Sequence, residues 1–364
     1  MPAEHAERRA RLASAVGAVG ADAALITRLV NMRYLTGLES SNAALLLEAD
    51  GKAVLATDGR YTTAAATAAS DLEILQERNV ASALATRAAA DGVLRLGVEE
   101  HDVTLAVAET IRKAAEPAEL VYLGHAVEAL RVVKSEEELT LIRQACAISS
   151  RALDELWTAG GLLGRTEKQV ARDLENRMYE HGADGVAFET IVASGPHSAV
   201  PHHRPTERII GTGELLKVDC GALYRGYHAD CTRTVVIGAE PSEWQREIYD
   251  LVAEAQRVGR EALSVGIECI AVDRATREVI EAAGYAKQFS HGTGHGVGLE
   301  IHEAPTLGYS ATGTLADRMS VTVEPGIYLP ERGGVRIEDT LVVRDTGGPE
   351  LLTTTTKDLL VLDA

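Results

Sequence analysis

The sequence predicts an α+β protein of two domains: a compact α/β unit at the amino terminus, and a larger unit built from two similar halves. Three observations predict it. Short helical and strand patterns alternate over the first 125 or so residues. A capping box then opens a long helix after a linker. Finally, one order of elements, a helix pair followed by strands, occurs twice about 105 residues apart.

Along the first unit, a helix over 4–17 precedes an apolar strand at Ala23–Thr27. The stretch ALLLEADGKAVLATD reads as a hairpin with a type I′ turn at Asp50-Gly51. Helices follow at 59–70, 80–90 and 102–115, with strands at 72–76, 94–99 and 119–123. No dense cluster of catalytic residue types occurs here, and Tyr34, His101 and His125 read as packing or surface residues. The domains are therefore placed at 1–130 and 135–364, with the boundary in LRVVKSEEE.

Ser135 with Glu138 three residues on is a capping box, which starts a helix at Glu136 running to about Trp157. Thr166 with Gln169 starts a second helix, ending near His181. In the other half Ser242 with Gln245 starts a helix to about Leu263, and a further helix covers about Ile270–Ala283. The strands of the first half lie in FETIVASG, ELLKVDCGALYRGY and HADCTRTVVIG; those of the second lie in RMSVTVEPGIYLP and GVRIEDTLVV. A pocket between two such halves would collect residues from both.

Composition limits the function. With 36 basic and 54 acidic residues the formal charge is -18, which argues against nucleic acid and anionic membranes as partners. No apolar run approaches the ~20 residues of a membrane span, and the charged start MPAEHAERRARLASA is no signal peptide. Cys146, Cys220, Cys231 and Cys269 have no metal or disulfide spacing, which points to the cytoplasm.

The densest chemistry lies in HGTGHGVGLEIHE, from His291 to Glu303, where three histidines and two glutamates are set among four glycines. Those glycines would cost a helix about 1 kcal/mol each, so an irregular loop is expected, running into a short strand around Leu299–His302. Their role would be close backbone approach or positive φ. Asp219 and Asp230 sit in apolar strand pattern on either side of a turn near Arg225-Gly226. Glu324 and Glu338 repeat this in the last strands, and Arg336 shares a strand face with Glu338. Buried carboxylates need a cation. Asp219, Asp230, His295, Glu324 and Glu338 carry a formal -4, which two divalent ions balance when they share the oxygens as bridges. So oxygen-rich a set suits Mn2+, with Co2+ or Zn2+ as alternatives. Cys220 and Cys231, each next to a proposed ligand, face the other way and read as core.

SGPHSAVPHHRP, VDCG with HADCTRT, HGTGHGVGLEIHE, VEPGIY and GVRIED resemble the five motif regions of the pita-bread metallopeptidases, which include aminopeptidase P, prolidase, methionine aminopeptidase and creatinase. The whole chain is similar to their Xaa-Pro branch, and the resemblance implies a creatinase-like amino-terminal domain and a pita-bread catalytic domain with pseudo-twofold halves. It implies that Asp219, Asp230, His295, Glu324 and Glu338 hold two metals. It gives His202 and His302 catalytic roles at the scissile amide and the oxyanion, with Glu324 as proton carrier. His291 and Arg336 become substrate-side or supporting residues, whereas His197 and His203 have no counterpart and read as rim or surface residues.

The reaction implied is hydrolysis of an amino-terminal Xaa-Pro bond in proline-containing peptides. Such a bond lacks an N–H and has a fixed φ, so it needs a dedicated pocket. Some prolidases carry an arginine shortly after HE-x-P; here HEAP is followed by Thr306, which favours an Xaa-Pro aminopeptidase over the alternative, an Xaa-Pro dipeptidase. Arg332, Arg204 or Arg33 could supply the missing cation. A metal-free amidinohydrolase or a non-catalytic binding module would have lost ligands that this chain keeps. The relatives also suggest a homodimer.

Overall fold

The computed structural model describes residues 2–363. The chain divides into two compact units, Met1–Arg131 and Val132–Ala364.

The first unit carries a six-stranded mixed sheet. Its order is Glu73–Gln76, Ala53–Thr57, Ala43–Glu48, Ala23–Ile26, Arg95–Val98, Glu119–Tyr122. The central strands are apolar and buried along their length, and Leu25, Leu46, Leu84 and Leu96 form one core. Two helices unmarked by any cap signature, Leu29–Thr36 and Ala126–Arg131, were not expected. The expected type I′ turn is not formed. Only Gly51 of the Asp50-Gly51 pair has positive φ, and its N–H closes a turn onto the Glu48 carbonyl at 2.9 Å. Asp50 instead accepts from the Lys52 N–H at 2.9 Å, a local bond that a short acidic side chain makes more cheaply than a left-handed backbone. A pair with positive φ at both residues, as type I′ requires, does occur at Arg225-Gly226, between paired Tyr224 and Tyr227.

In the second unit each half packs a helix pair on a sheet. The first has helices Glu136–Ala159 and Glu167–Glu180, and the strand order Val361–Leu362, Cys231–Ile237, Leu215–Cys220, Ile191–Ser194. The second has helices Glu243–Ala262 and Cys269–Ala282, and the order Glu303–Leu307, Gly294–Gly296, Ser320–Val323, Asp339–Val342, Glu350–Leu351. Both capping boxes of the first pair are made: Ser135 and Thr166 accept from the N–H groups of Glu138 and Gln169, whose side chains reach back. In the second pair Gln245 accepts from the Ser242 N–H at 2.7 Å. Apolar faces at Leu153, Leu156 and Leu174 bury against Val192, Val218 and Val235 of the first sheet. Burial of such leucines stabilises by about 2–5 kcal/mol each against alanine.

The strands of the histidine motif differ from expectation. They are Gly294–Gly296 and Glu303–Leu307, and Leu299–His302 is an irregular bend between them. The glycines explain this. None of Gly292, Gly294, Gly296 and Gly298 has positive φ; each is small because something occupies the space of a side chain. A Cβ on Gly294 would lie 2.0 Å from the Thr322 carbonyl oxygen, and one on Gly296 would lie 2.2 Å from that of Ala304. Close approach of neighbouring backbone sets the strand here.

Candidate metal and active site

Two antiparallel strands carry the first pair of carboxylates. Asp219 pairs with Thr232 across Leu215–Cys220 and Cys231–Ile237, and Asp230 immediately precedes the second strand. Their neighbours Cys220 and Cys231 are buried in the core, as the alternation of a strand requires. Glu324 ends Ser320–Val323, with its N–H on the Thr293 carbonyl at 2.8 Å. Glu338 lies between Gly333–Arg336 and Asp339–Val342. Asp219, Asp230, His202, His295, His302, Glu324, Arg336 and Glu338 all line a single cavity of about 270 Å³. His291 lies behind the wall, with its ring Nε2 at 2.8 Å from the Tyr328 hydroxyl.

Orientation of the imidazoles follows from their second nitrogens. His295 directs Nδ1 to the Gly296 carbonyl at 3.1 Å, which leaves Nε2 free toward the carboxylates, 3.5 Å from Asp230 Oδ2 and 3.4 Å from Glu324 Oε1. The His302 ring meets His295 edge-on, with centroids 4.4 Å apart. Burial holds His295 down to about 4, so it is neutral at physiological pH, and burial also lowers His302.

The carboxylates are crowded. Burial, followed by the neighbouring carboxylates, pushes Asp230 and Glu338 well above the usual range, and burial raises Glu324 to about 8. Asp219 Oδ1 and Glu338 Oε1 are buried without a hydrogen-bond partner. One ligand atom each from Asp230, His295 and Glu338 fall within 4.8 Å of one another. Acceptors that converge without donors are costly unless a cation takes them, so this set fits divalent metal.

Arg336, expected as a supporting residue, and several residues with no mark in the sequence hold the cluster in place. Arg336 donates to Asp219, to Tyr328 Oη at 2.9 Å, to Thr232 Oγ1 at 3.1 Å and to the Pro201 carbonyl at 3.1 Å. The surface Arg336–Glu338 pair that the spacing alone allows is thus not made, since both residues are buried and Glu338 accepts from Thr232 Oγ1 at 2.7 Å. Arg233, 2% exposed, donates to Asp339 at 2.8 Å and to the carbonyls of Thr355 and Thr356 at 2.8 Å each. Asp273, on the helix Cys269–Ala282, accepts from the N–H and the hydroxyl of Thr293, both at 3.0 Å, and so anchors the histidine loop. His197 and His203, expected at the rim or surface, both bond Glu167 at 2.9 Å; His203 also lines the cavity, and the His197 side chain stays 35% exposed.

Residues 140–345 match the model of metallopeptidase family M24, and residues 8–133 match the creatinase/prolidase N-terminal domain. The chain belongs to metallopeptidase family M24. Enzymes of this family are dinuclear metal hydrolases, and Asp230, His295 and Glu338 form a group in this M24 chain that could hold a metal ion. It is 39% identical over 269 residues to the Xaa-Pro dipeptidase of Pyrococcus furiosus, covering 73% of this chain and 75% of that one. Among solved structures it is similar to the Xaa-Pro dipeptidase from Bacillus anthracis, with a TM-score of 0.94, 36% identity, and 98% and 100% of the two chains covered. It is also similar to the X-Pro aminopeptidase from Thermotoga maritima, with a TM-score of 0.89, 34% identity, and 97% and 99% covered. The creatinase-like and pita-bread architecture read from the motifs is therefore the architecture of this M24 peptidase.

Proposed function

We propose that this peptidase hydrolyses the Xaa-Pro bond of dipeptides. The relatives support that alternative better than the aminopeptidase expected from Thr306. The observation that carries it is the position of Arg204. It lines the same cavity as the five acidic and imidazole ligands, and stands at the mouth, 83% exposed, with Glu189 at 3.0 Å. A guanidinium there can take the carboxylate of a dipeptide, the task left open by Thr306. A cavity of about 270 Å³ is also small, just below the ~300–1,000 Å³ common for ligand sites. Aminopeptidase action on longer peptides is the second reading, favoured by Thr306 and by the likeness to the T. maritima enzyme.

In this reading Asp219, Asp230, His295, Glu324 and Glu338 hold two divalent ions. Manganese suits the four carboxylates. Bound there, the ions would lower the pKa of a water so that it could attack at neutral pH. Glu324 takes the proton and passes it to the leaving proline nitrogen. His302 and His202 face the scissile carbonyl and donate to its developing charge. Arg336 holds Asp219, and Tyr328 with His291 hold Arg336 from behind. We place the enzyme in the cytoplasm, where its four unpaired, buried cysteines would stay reduced, and carry the homodimer over only from the family resemblance. No helix of the described residues is long and apolar enough to cross a membrane.

The test is hydrolysis of an Xaa-Pro dipeptide beside an Xaa-Pro-Yaa peptide, with manganese and with Asp230→Ala as blank. Preference for the dipeptide supports the proposal, and release of only the first residue from the longer peptide would replace it with the aminopeptidase reading.

A further inference from the structure

His202 and Arg204 lie in a stretch with little regular backbone bonding of its own. A short 3-10 turn covers Gly195–Ala199, and residues 200–206 belong to no helix or strand. His202 and Arg204 are themselves exposed. What fixes them has to be found beneath.

Upstream, the Val200 and Pro201 carbonyls accept from the buried Lys217 ammonium at 2.7 and 3.2 Å, and Arg336 also donates to Pro201. Downstream the holder is Glu167, whose side chain is 0% exposed and comes from the first turn of the helix Glu167–Glu180. Its Oε1 accepts from the Ser194 N–H at 2.8 Å, the Ser194 hydroxyl at 2.9 Å and His197 Nδ1 at 2.9 Å. Its Oε2 accepts from His203 Nε2 at 2.9 Å, the Thr206 N–H at 3.0 Å and the Thr206 hydroxyl at 2.8 Å. Six donors therefore converge on one carboxylate, and they come from both ends of the segment that carries His202 and Arg204. The two histidine rings lie 4.4 Å apart, tilted by 34° to one another.

We propose that Glu167 is the positioning residue of this active site, closing residues 194–206 into a loop around its carboxylate so that His202 faces the cavity and Arg204 its mouth. Glu167 touches neither substrate nor ligand residues; it acts through its neighbours. A neutral side chain of the same shape does not replace it, because a glutamine presents an N–H to donors on one side. The metal residues come from other strands, so their occupancy is independent of this clamp.

The experiment compares wild type, Glu167→Gln, His202→Ala and the double variant. Hydrogen–deuterium exchange across residues 195–206 is expected to speed up in Glu167→Gln, while metal content per chain matches wild type. Hydrolysis of an Xaa-Pro dipeptide is expected to fall about 10- to 100-fold in kcat, the loss typical of outer-shell partners. The double variant should be no slower than His202→Ala, because Glu167 acts through that residue. Unchanged exchange in 195–206, or losses that multiply in the double variant, would overturn the proposal. The kinetic arm rests on the Xaa-Pro reading, whereas exchange does not. A wild type inactive on Xaa-Pro peptides removes that reading and leaves exchange to decide this one. If Glu167→Gln does not fold, His203→Phe removes one donor at the rim and is read by the same two measurements.

Discussion

Arg336 donates its guanidinium directly to the carboxylate of Asp219, and both are almost wholly buried. Removing the cation leaves an unpaired buried carboxylate. In metal-free protein Arg336→Leu should cost about 3–5 kcal/mol by urea denaturation. Arg336→Lys should not restore it, since one ammonium cannot reach Asp219, Tyr328, Thr232 and Pro201 together. Equal stability of Arg336→Leu and wild type would show that the pair contributes nothing.

Chelation should lower the melting temperature. A ligand at a thousandfold excess over its Kd adds about 4 kcal/mol to the folded state. Calorimetry of wild type with and without manganese measures this, and Asp230→Asn should respond far less. A wild type indifferent to chelator would argue against the assigned ligands.

Arg204→Ala should raise KM for an Xaa-Pro dipeptide about 1.5- to fivefold, the range of an exposed charge pair, with kcat little changed. The corresponding dipeptide amide, which lacks the carboxylate, should be unaffected. Equal effects on both substrates would remove Arg204 from carboxylate recognition.

Glu167 sets an acid limit. Burial pushes its carboxyl up, but bonds from His203, Ser194 and Thr206 win and hold it down at about 2, against an ordinary 4.5. A depressed folded value gives stability that is present above about 4.5 and lost as pH falls toward about 2. The stability gap between wild type and Glu167→Gln should therefore shrink as pH falls through that window. A gap that widens in acid would contradict the sign.

Gly294→Ala should destabilise by about 3 kcal/mol or more, because its Cβ would lie 2.0 Å from the Thr322 carbonyl oxygen. Thermal unfolding of the apoprotein tests it. Gly292→Ala meets the Leu307 carbonyl at the longer distance of 2.8 Å and should cost less.

The cavity-lining residues were legible because acids and histidines in apolar strands have few structural explanations, and because Ser135 and Thr166 with their N3 partners mark helix starts that local chemistry dictates. Glu167, Lys217 and Arg233 were not. Each is an ordinary charged residue in its own segment, and its partners lie far along the chain: 27–39 residues for Glu167, and up to 123 for Arg233. Burial of such groups is decided by tertiary contacts that periodicity does not encode. The Leu299–His302 strand was misplaced for a related reason, since glycine chosen for volume and glycine chosen for φ look alike in a sequence.

The division of the proposed ligands between two halves has a further consequence. Asp219 and Asp230 come from the first helix-pair-and-sheet half, and His295, Glu324 and Glu338 from the second. A chain emerging from the ribosome carries the complete set only once Glu338 has been added, 26 residues before the end of this sequence. On the ligand assignment proposed above, every shorter product lacks a metal ligand, so peptidase activity is expected only once the second half has folded onto the first.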